Sequence, residues 1–233
     1  MRGRTIRDAA MPLVSSGVLM AAYLLLRPYG DKGAGPEAVQ AMASGWWVVS
    51  HVCGMLALAS VARAALRISD YAGGVSGLLA RWAGLGGVVL VLPYYGAETF
   101  ALHVVARQAH DADAASMALI TEIREQPVAM TMFGLGLLLL AVSGVAMASA
   151  WRRMAGAMAG EMAGQLAWAG WPLGVLLVLF LPQFYLPEVG RMAYGVAYLV
   201  AASFLALAVR RATVPSAGAG EDRLSVTGAR IPT

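Results

Sequence analysis

Six apolar stretches alternate along the chain with short polar connections. A hydrocarbon layer about 30 Å thick requires about 20 mostly apolar residues per helix. Stretches over about 9–26, 44–66, 79–106, 128–150, 166–185 and 189–209 meet that length. The pattern predicts an all-α, polytopic integral membrane bundle of six transmembrane helices.

Local signals mark the edges. The first stretch follows Arg2, Arg4 and Arg7, the charge-then-apolar order of a signal peptide. Arg27-Pro28-Tyr29 then stands where a cleavage site would need small residues, which predicts an uncleaved anchor. The interfacial pair Trp46-Trp47 opens the second stretch, and Arg63 and Arg67 close it. Arg81 and Arg107 bracket the third, while the fourth runs from Pro127 to Trp151-Arg152-Arg153. The tight turn Leu186-Pro187-Glu188 makes the last two stretches antiparallel neighbours. Between 154 and 164, Gly156, Gly160 and Gly164 recur at a spacing that suits close helix approach, or simply a low-complexity connector. Residues 212–233 are polar and rich in Gly, Pro and Ser, the composition of a disordered tail.

Composition agrees with this pattern. Hydrophobic residues make up 59% of the 233 and charged residues 13%, against about 25% charged in a soluble domain. Charge then supplies orientation, because cytoplasmic loops carry the excess of Lys and Arg. With the N-terminus inside, twelve basic residues fall on the cytoplasmic side and five (Arg27, Lys32, Arg107, Arg124 and Arg191) on the other. Both termini are therefore expected in the cytoplasm. The acidic stretch holding Asp111, Asp113, Glu122 and Glu125 falls outside. Sixteen arginines to one lysine, with abundant Ala and Gly, give the composition of a high-GC bacterial genome, and so an inner (plasma) membrane location.

Several classes of chemistry drop out. No segment has the dense basic stripe of nucleic-acid binding. Cys53 stands alone, without a disulfide framework or thiolate cluster. Lys32 lies in a loop, so no lysine sits in a span to carry a retinal-type Schiff base. Phosphate loops and nucleophile elbows are missing, and Asp111 and Asp113 lie in a connection rather than in a span. Gly84-Leu85-Gly86-Gly87 and Gly134-Leu135-Gly136 lie inside helices, where close packing explains them.

Ionisable residues within spans are costly and mark function by default. Glu98 is the clearest, with Pro93 just before it; His51 and His103 complete the set. At about 100° per residue, Tyr94 and Tyr95 flank Glu98 on either side, whereas His103 diverges from it by about 140°. Trp47 and His51 share a stripe on the second helix, and Tyr185 and Tyr194 lie at the outer ends of the last two. These residues predict an outer-side pocket around Glu98 lined by His51, Tyr94, Tyr95, Trp47, His103, Tyr185 and Tyr194. An interfacial aromatic belt is the competing reading. A haem held by His51 and His103 is a lower-ranked alternative. The divergence of His103 and the lack of HExxH-like spacing argue against a metal site, so no cofactor is assigned.

Three functional readings follow, in order. The first is binding or transport of a small lipophilic molecule in the pocket. The second is a non-catalytic accessory subunit, docked on a membrane-protein partner or on a second copy of itself. The third is an intramembrane enzyme acting on a lipid or isoprenoid, with Glu98 as acid or base. Membrane lipids are partners in all three.

Overall fold

The computed structural model describes residues 6–33, 35–109, 113–157 and 166–212. His110, Asp111, Gly160, Gly164 and the tail beyond Ala212 lie outside the described residues, as do Arg2, Arg4, Arg223 and Arg230. Among the described residues the chain is all-helical, without strands. Five helical stretches are long and apolar enough to cross a membrane: Ile6–Leu26, Gly45–Ala72, Gly74–Gln108, Pro127–Gly156 and Glu188–Arg211.

In chain order the α-helices are α1 (Ala10–Leu26), α2 (Pro36–Ala43), α3 (Gly45–Ala72), α4 (Gly74–Gly96), α5 (Leu102–Gln108), α6 (Ala114–Arg124), α7 (Pro127–Gly156), α8 (Trp171–Val178) and α9 (Glu188–Arg211). Three of them, α3, α6 and α7, start on a side-chain cap. Ser44 Oγ accepts from the Trp46 amide at 3.2 Å, Asp113 Oδ1 from Ser116 at 2.9 Å, and Gln126 Oε1 from Ala129 at 2.5 Å ahead of Pro127. Gly73 and Gly74, at φ 55° and 64°, make the tight turn between α3 and α4 in a backbone region that side chains disfavour.

The stretch over 166–185 departs from the expected continuous helix. Proline removes a backbone donor and its ring clashes with the carbonyl four residues earlier. Pro182 therefore strikes at Val178, where α8 ends, and Pro172 stands at the first turn of α8. The remainder forms turns and a 3₁₀ segment, Pro182–Tyr185. Even so, this stretch runs antiparallel along α7 from Trp151 to Phe133. Its Leu166 carbonyl accepts from Trp151 Nε1 at 2.8 Å, Gly174 abuts Gly144, and the Phe184 ring lies 5.7 Å from Phe133.

The long elements form a closed ring: α1 packs on α3, α3 on α4, α4 on α7, α7 on α8, α8 on α9, and α9 back on α1. Glycines set the tightest contacts. A Cβ on Gly87 would stand 2.9 Å from the Gly136 carbonyl, and one on Gly136 would stand 2.6 Å from Val91. This is the close approach that small residues permit in membrane bundles. Two buried hydroxyls tie helices together inside the ring: Ser16 Oγ lies 3.0 Å from Tyr198 Oη, and Ser143 donates to the Ala80 carbonyl at 2.8 Å. Exposed Val18, Leu56, Trp82, Val89, Leu138 and Val200 face outward, as helices in contact with lipid require.

At the end of the bundle that carries the α1 C-terminus, here the distal end, three short helices form a cap. Ala38 and Met42 of α2, Trp47 of α3, Leu102 and Ala106 of α5 and Ile120 of α6 make a second apolar cluster there. By hydropathy α2 and α6 fall in the connections between apolar stretches, and both are too short to cross a membrane.

Candidate functional site

Beneath this cap opens a cavity of about 360 Å³. Glu98 enters it from an unusual piece of backbone. After Pro93 the helix widens to a π-turn over Ala97–Ala101 and then resumes as α5. Such π-bulges re-aim side chains and recur at functional sites. Here the bulge sends Glu98 toward the cavity, while His103 Nδ1 turns to the Met42 carbonyl of α2 at 2.8 Å.

A continuous polar chain crosses the cavity rim. Tyr94 Oη donates to Glu98 Oε1 at 3.2 Å, and Arg124 holds the same carboxylate through Nε at 3.1 Å and Nη2 at 3.4 Å. Arg124 also donates to the Asp31 carbonyl at 2.8 Å and to Asp31 Oδ2 at 3.2 Å. Arg27 bonds Asp31 Oδ2 at 2.6 Å and the Tyr23 hydroxyl at 2.9 Å. Asp31 is thus shared by two guanidiniums. Burial pushes its carboxyl up, but Arg27 and Arg124 outweigh that and hold its pKa below the usual carboxylate value. Trp47 underlies the chain: its Nε1 donates to the Glu98 carbonyl at 2.7 Å, and the Arg27 guanidinium sits 5.0 Å over its ring.

Aromatic rings line the rest. His51 stacks on Trp47 with centroids 4.1 Å apart, and its Nδ1 donates to the Trp47 carbonyl at 2.7 Å. Tyr23 lies edge-on to His51 at 5.4 Å and to Tyr95 at 5.9 Å. Tyr94 packs on Phe133 at 4.5 Å, and Phe184, itself 5.7 Å from Phe133, continues the wall with Tyr185 and Leu181.

The sequence-derived site residues separate cleanly. Glu98, His51, Tyr94, Tyr95 and Tyr185 all line the cavity, and Trp47 supports it from behind. His103 belongs instead to the distal cap. Tyr194 points away, donating to the Leu176 carbonyl at 2.5 Å. Among the described residues, no three His, Cys, Asp or Glu side chains gather as a metal site.

Arg27, Asp31, Arg124 and Arg191 were absent from that set and supply most of the cavity's charge. In the sequence they are marked only as charges in or beside the connections between apolar stretches, since Arg27-Pro28-Tyr29-Gly30-Asp31 is not helical. Four cationic and two anionic side chains line the cavity, leaving it net positive. Such a chamber can hold a molecule with both an apolar body and a polar end. No family model, curated protein or solved structure matches the chain.

Proposed function

We propose that the protein crosses the bacterial inner membrane six times with both termini in the cytoplasm, and that it binds or transports a small lipophilic molecule in the distal cavity around Glu98. The topology rests on the excess of Arg in the segments assigned to the cytoplasm. A sixth crossing by residues 166–185 is supported by their antiparallel run along α7. On this orientation the distal end is the outer one.

The observation that carries the functional reading is the cavity itself. At about 360 Å³ it falls within the roughly 300–1,000 Å³ typical of small-molecule sites. Its walls are aromatic and aliphatic, with a few fixed polar groups at the rim, the usual composition of a ligand pocket.

Native mass spectrometry of the detergent-purified protein tests the reading. The expected result is a retained small molecule, seen as a mass above that of the chain. Glu98→Gln, which weakens the grip of Arg124 and Tyr94 on the rim, is expected to lower that molecule's occupancy several-fold. Equal occupancy in the wild type and the variant would remove Glu98 from the site.

A further inference from the structure

Arg191 stands apart from the other charges of the cavity. Its residue is 2% exposed, on the first turn of α9, and it lines the cavity wall. Nε and Nη2 of its guanidinium are buried, with no hydrogen-bond partner among the described residues. Glu98 gives both carboxylate oxygens to Arg124, and Asp31 gives Oδ2 to Arg27 and Arg124, so neither carboxylate hydrogen-bonds Arg191, although Asp31 lies within electrostatic reach of it. Glu188, one turn before Arg191 on the same helix, is exposed and makes no ion pair with it. Two aromatic faces attend the cation, Tyr29 at 5.4 Å and Phe184 at 5.5 Å from the guanidinium carbon.

This arrangement is costly for folding alone. A buried charge without a hydrogen-bonded counter-charge is strongly unfavourable. A cation at a helix N-terminus also opposes the helix dipole. The two aromatic faces and the more distant Asp31 offset part of this cost but leave Nε and Nη2 without an acceptor, which a ligand bearing an anionic oxygen would supply.

We infer that the molecule held in this cavity is a single-chain amphiphile with an anionic oxygen head, a carboxylate or a phosphate monoester. Arg191 takes the head, and Phe133, Phe184, Leu181 and Met130 receive the chain. This deepens the proposed binding function and rests on it. The volume sets the size: about 360 Å³ corresponds to roughly a dozen waters at about 30 Å³ each. That accommodates one short acyl or prenyl chain rather than a two-chain phospholipid. Planar, forked guanidinium donors suit carboxylate and phosphate oxygens equally, so both heads are named together.

Binding of four probes to the full-length protein in a neutral detergent separates the outcomes: dodecanoate, dodecyl phosphate, dodecanol and inorganic phosphate. The inference expects at least one anionic amphiphile to bind roughly tenfold or more tightly than dodecanol, as a charge-assisted hydrogen bond requires. Arg191→Gln abolishes that preference without weakening dodecanol, and Arg191→Lys retains part of it. Thermal unfolding of the unliganded variants is read alongside. If Arg191 serves a ligand, Arg191→Met melts at or above the wild-type temperature; a purely structural arginine would leave it melting lower. Phe133→Trp, which fills the chain region, weakens dodecanoate and leaves the response to inorganic phosphate unchanged.

Dodecanol binding as tightly as the anionic probes would overturn the anionic head while sparing a lipophilic site. Inorganic phosphate binding as tightly as dodecyl phosphate would overturn the amphiphile in favour of a free anion. Failure of all four probes would remove the lipophilic site itself.

Discussion

Asp31 concentrates the electrostatics of the distal end in one carboxylate. Its side chain is 7% exposed and joins two arginines from different parts of the chain, Arg27 and Arg124. Its pKa is depressed by those partners, so the ionised form contributes stability that is complete above the unfolded value, near 3.9. That contribution fades as pH falls through the lower folded value. Asp31→Asn leaves the buried Arg27 without its counter-charge and Arg124 with Glu98 alone, and is expected to cost about 3 kcal/mol at neutral pH. Thermal melts from pH 7 down to pH 3 check both statements. The gap between wild type and variant is largest at neutral pH and narrows below about pH 4; a gap that stays constant across the range would contradict the linkage. Sequence reasoning reached Glu98, His51, Tyr94 and Tyr95 because ionisable and aromatic residues within an apolar span announce themselves. It passed over Asp31 and Arg124 because they sit in or beside connections, where a charged residue is unremarkable. Only the folded chain brings Asp31 and Glu98 within hydrogen-bond reach of Arg124.

Contact between elements is decided by a handful of glycines. Gly136 of α7 packs against Gly87 and Val91 of α4 so closely that its hypothetical Cβ would lie 2.8 Å from the Gly87 carbonyl. Backbone cannot yield there as a flexible side chain would. Gly136→Val is therefore expected to destabilise the bundle by about 2–3 kcal/mol, the usual cost of overpacking, whereas Gly134→Ala, which meets nothing within 4 Å, should be near neutral. Unfolding of both variants in mixed detergent micelles measures the difference, and similar losses would mean that α4 and α7 are not held at this distance. The long helices were legible from the sequence because lipid contact demands uninterrupted apolar length, and α1, α3, α4, α7 and α9 satisfy it, α3, α7 and α9 with a cap or proline at their starts. The interruption over 166–185 was also written there, in Pro172 and Pro182, but hydropathy weighs a proline only as a mildly polar residue and not as a lost hydrogen bond. The π-turn at Ala97–Ala101 has Pro93 as its nearest sequence sign, and periodicity at 100° per residue cannot register the extra residue it inserts.

At the scale of the whole molecule, the cavity's use depends on which side of the membrane it faces and on how often the chain crosses. Five continuous helices alone would leave the two termini on opposite sides; an additional crossing by the proline-interrupted segment returns the C-terminus to the side of the N-terminus. Contacts favour the second arrangement. The α7 C-terminus and the α9 N-terminus lie at opposite ends of the bundle, with 166–185 spanning the distance between them along α7. Lys32, after α1, reaches the Phe184 carbonyl at 3.1 Å, so the α1–α2 and α8–α9 connections share the distal end. Single-cysteine variants in a Cys53→Ser background turn this into a measurement with a membrane-impermeant thiol reagent on intact spheroplasts. Gly35→Cys and Ser116→Cys should label from outside, whereas Ala157→Cys and Arg211→Cys should label only after permeabilisation. Labelling of Arg211→Cys from outside would mean an odd number of crossings. Reversal at all four positions would place the cavity on the cytoplasmic side, and its ligand would then have to come from the inner leaflet or the cytosol.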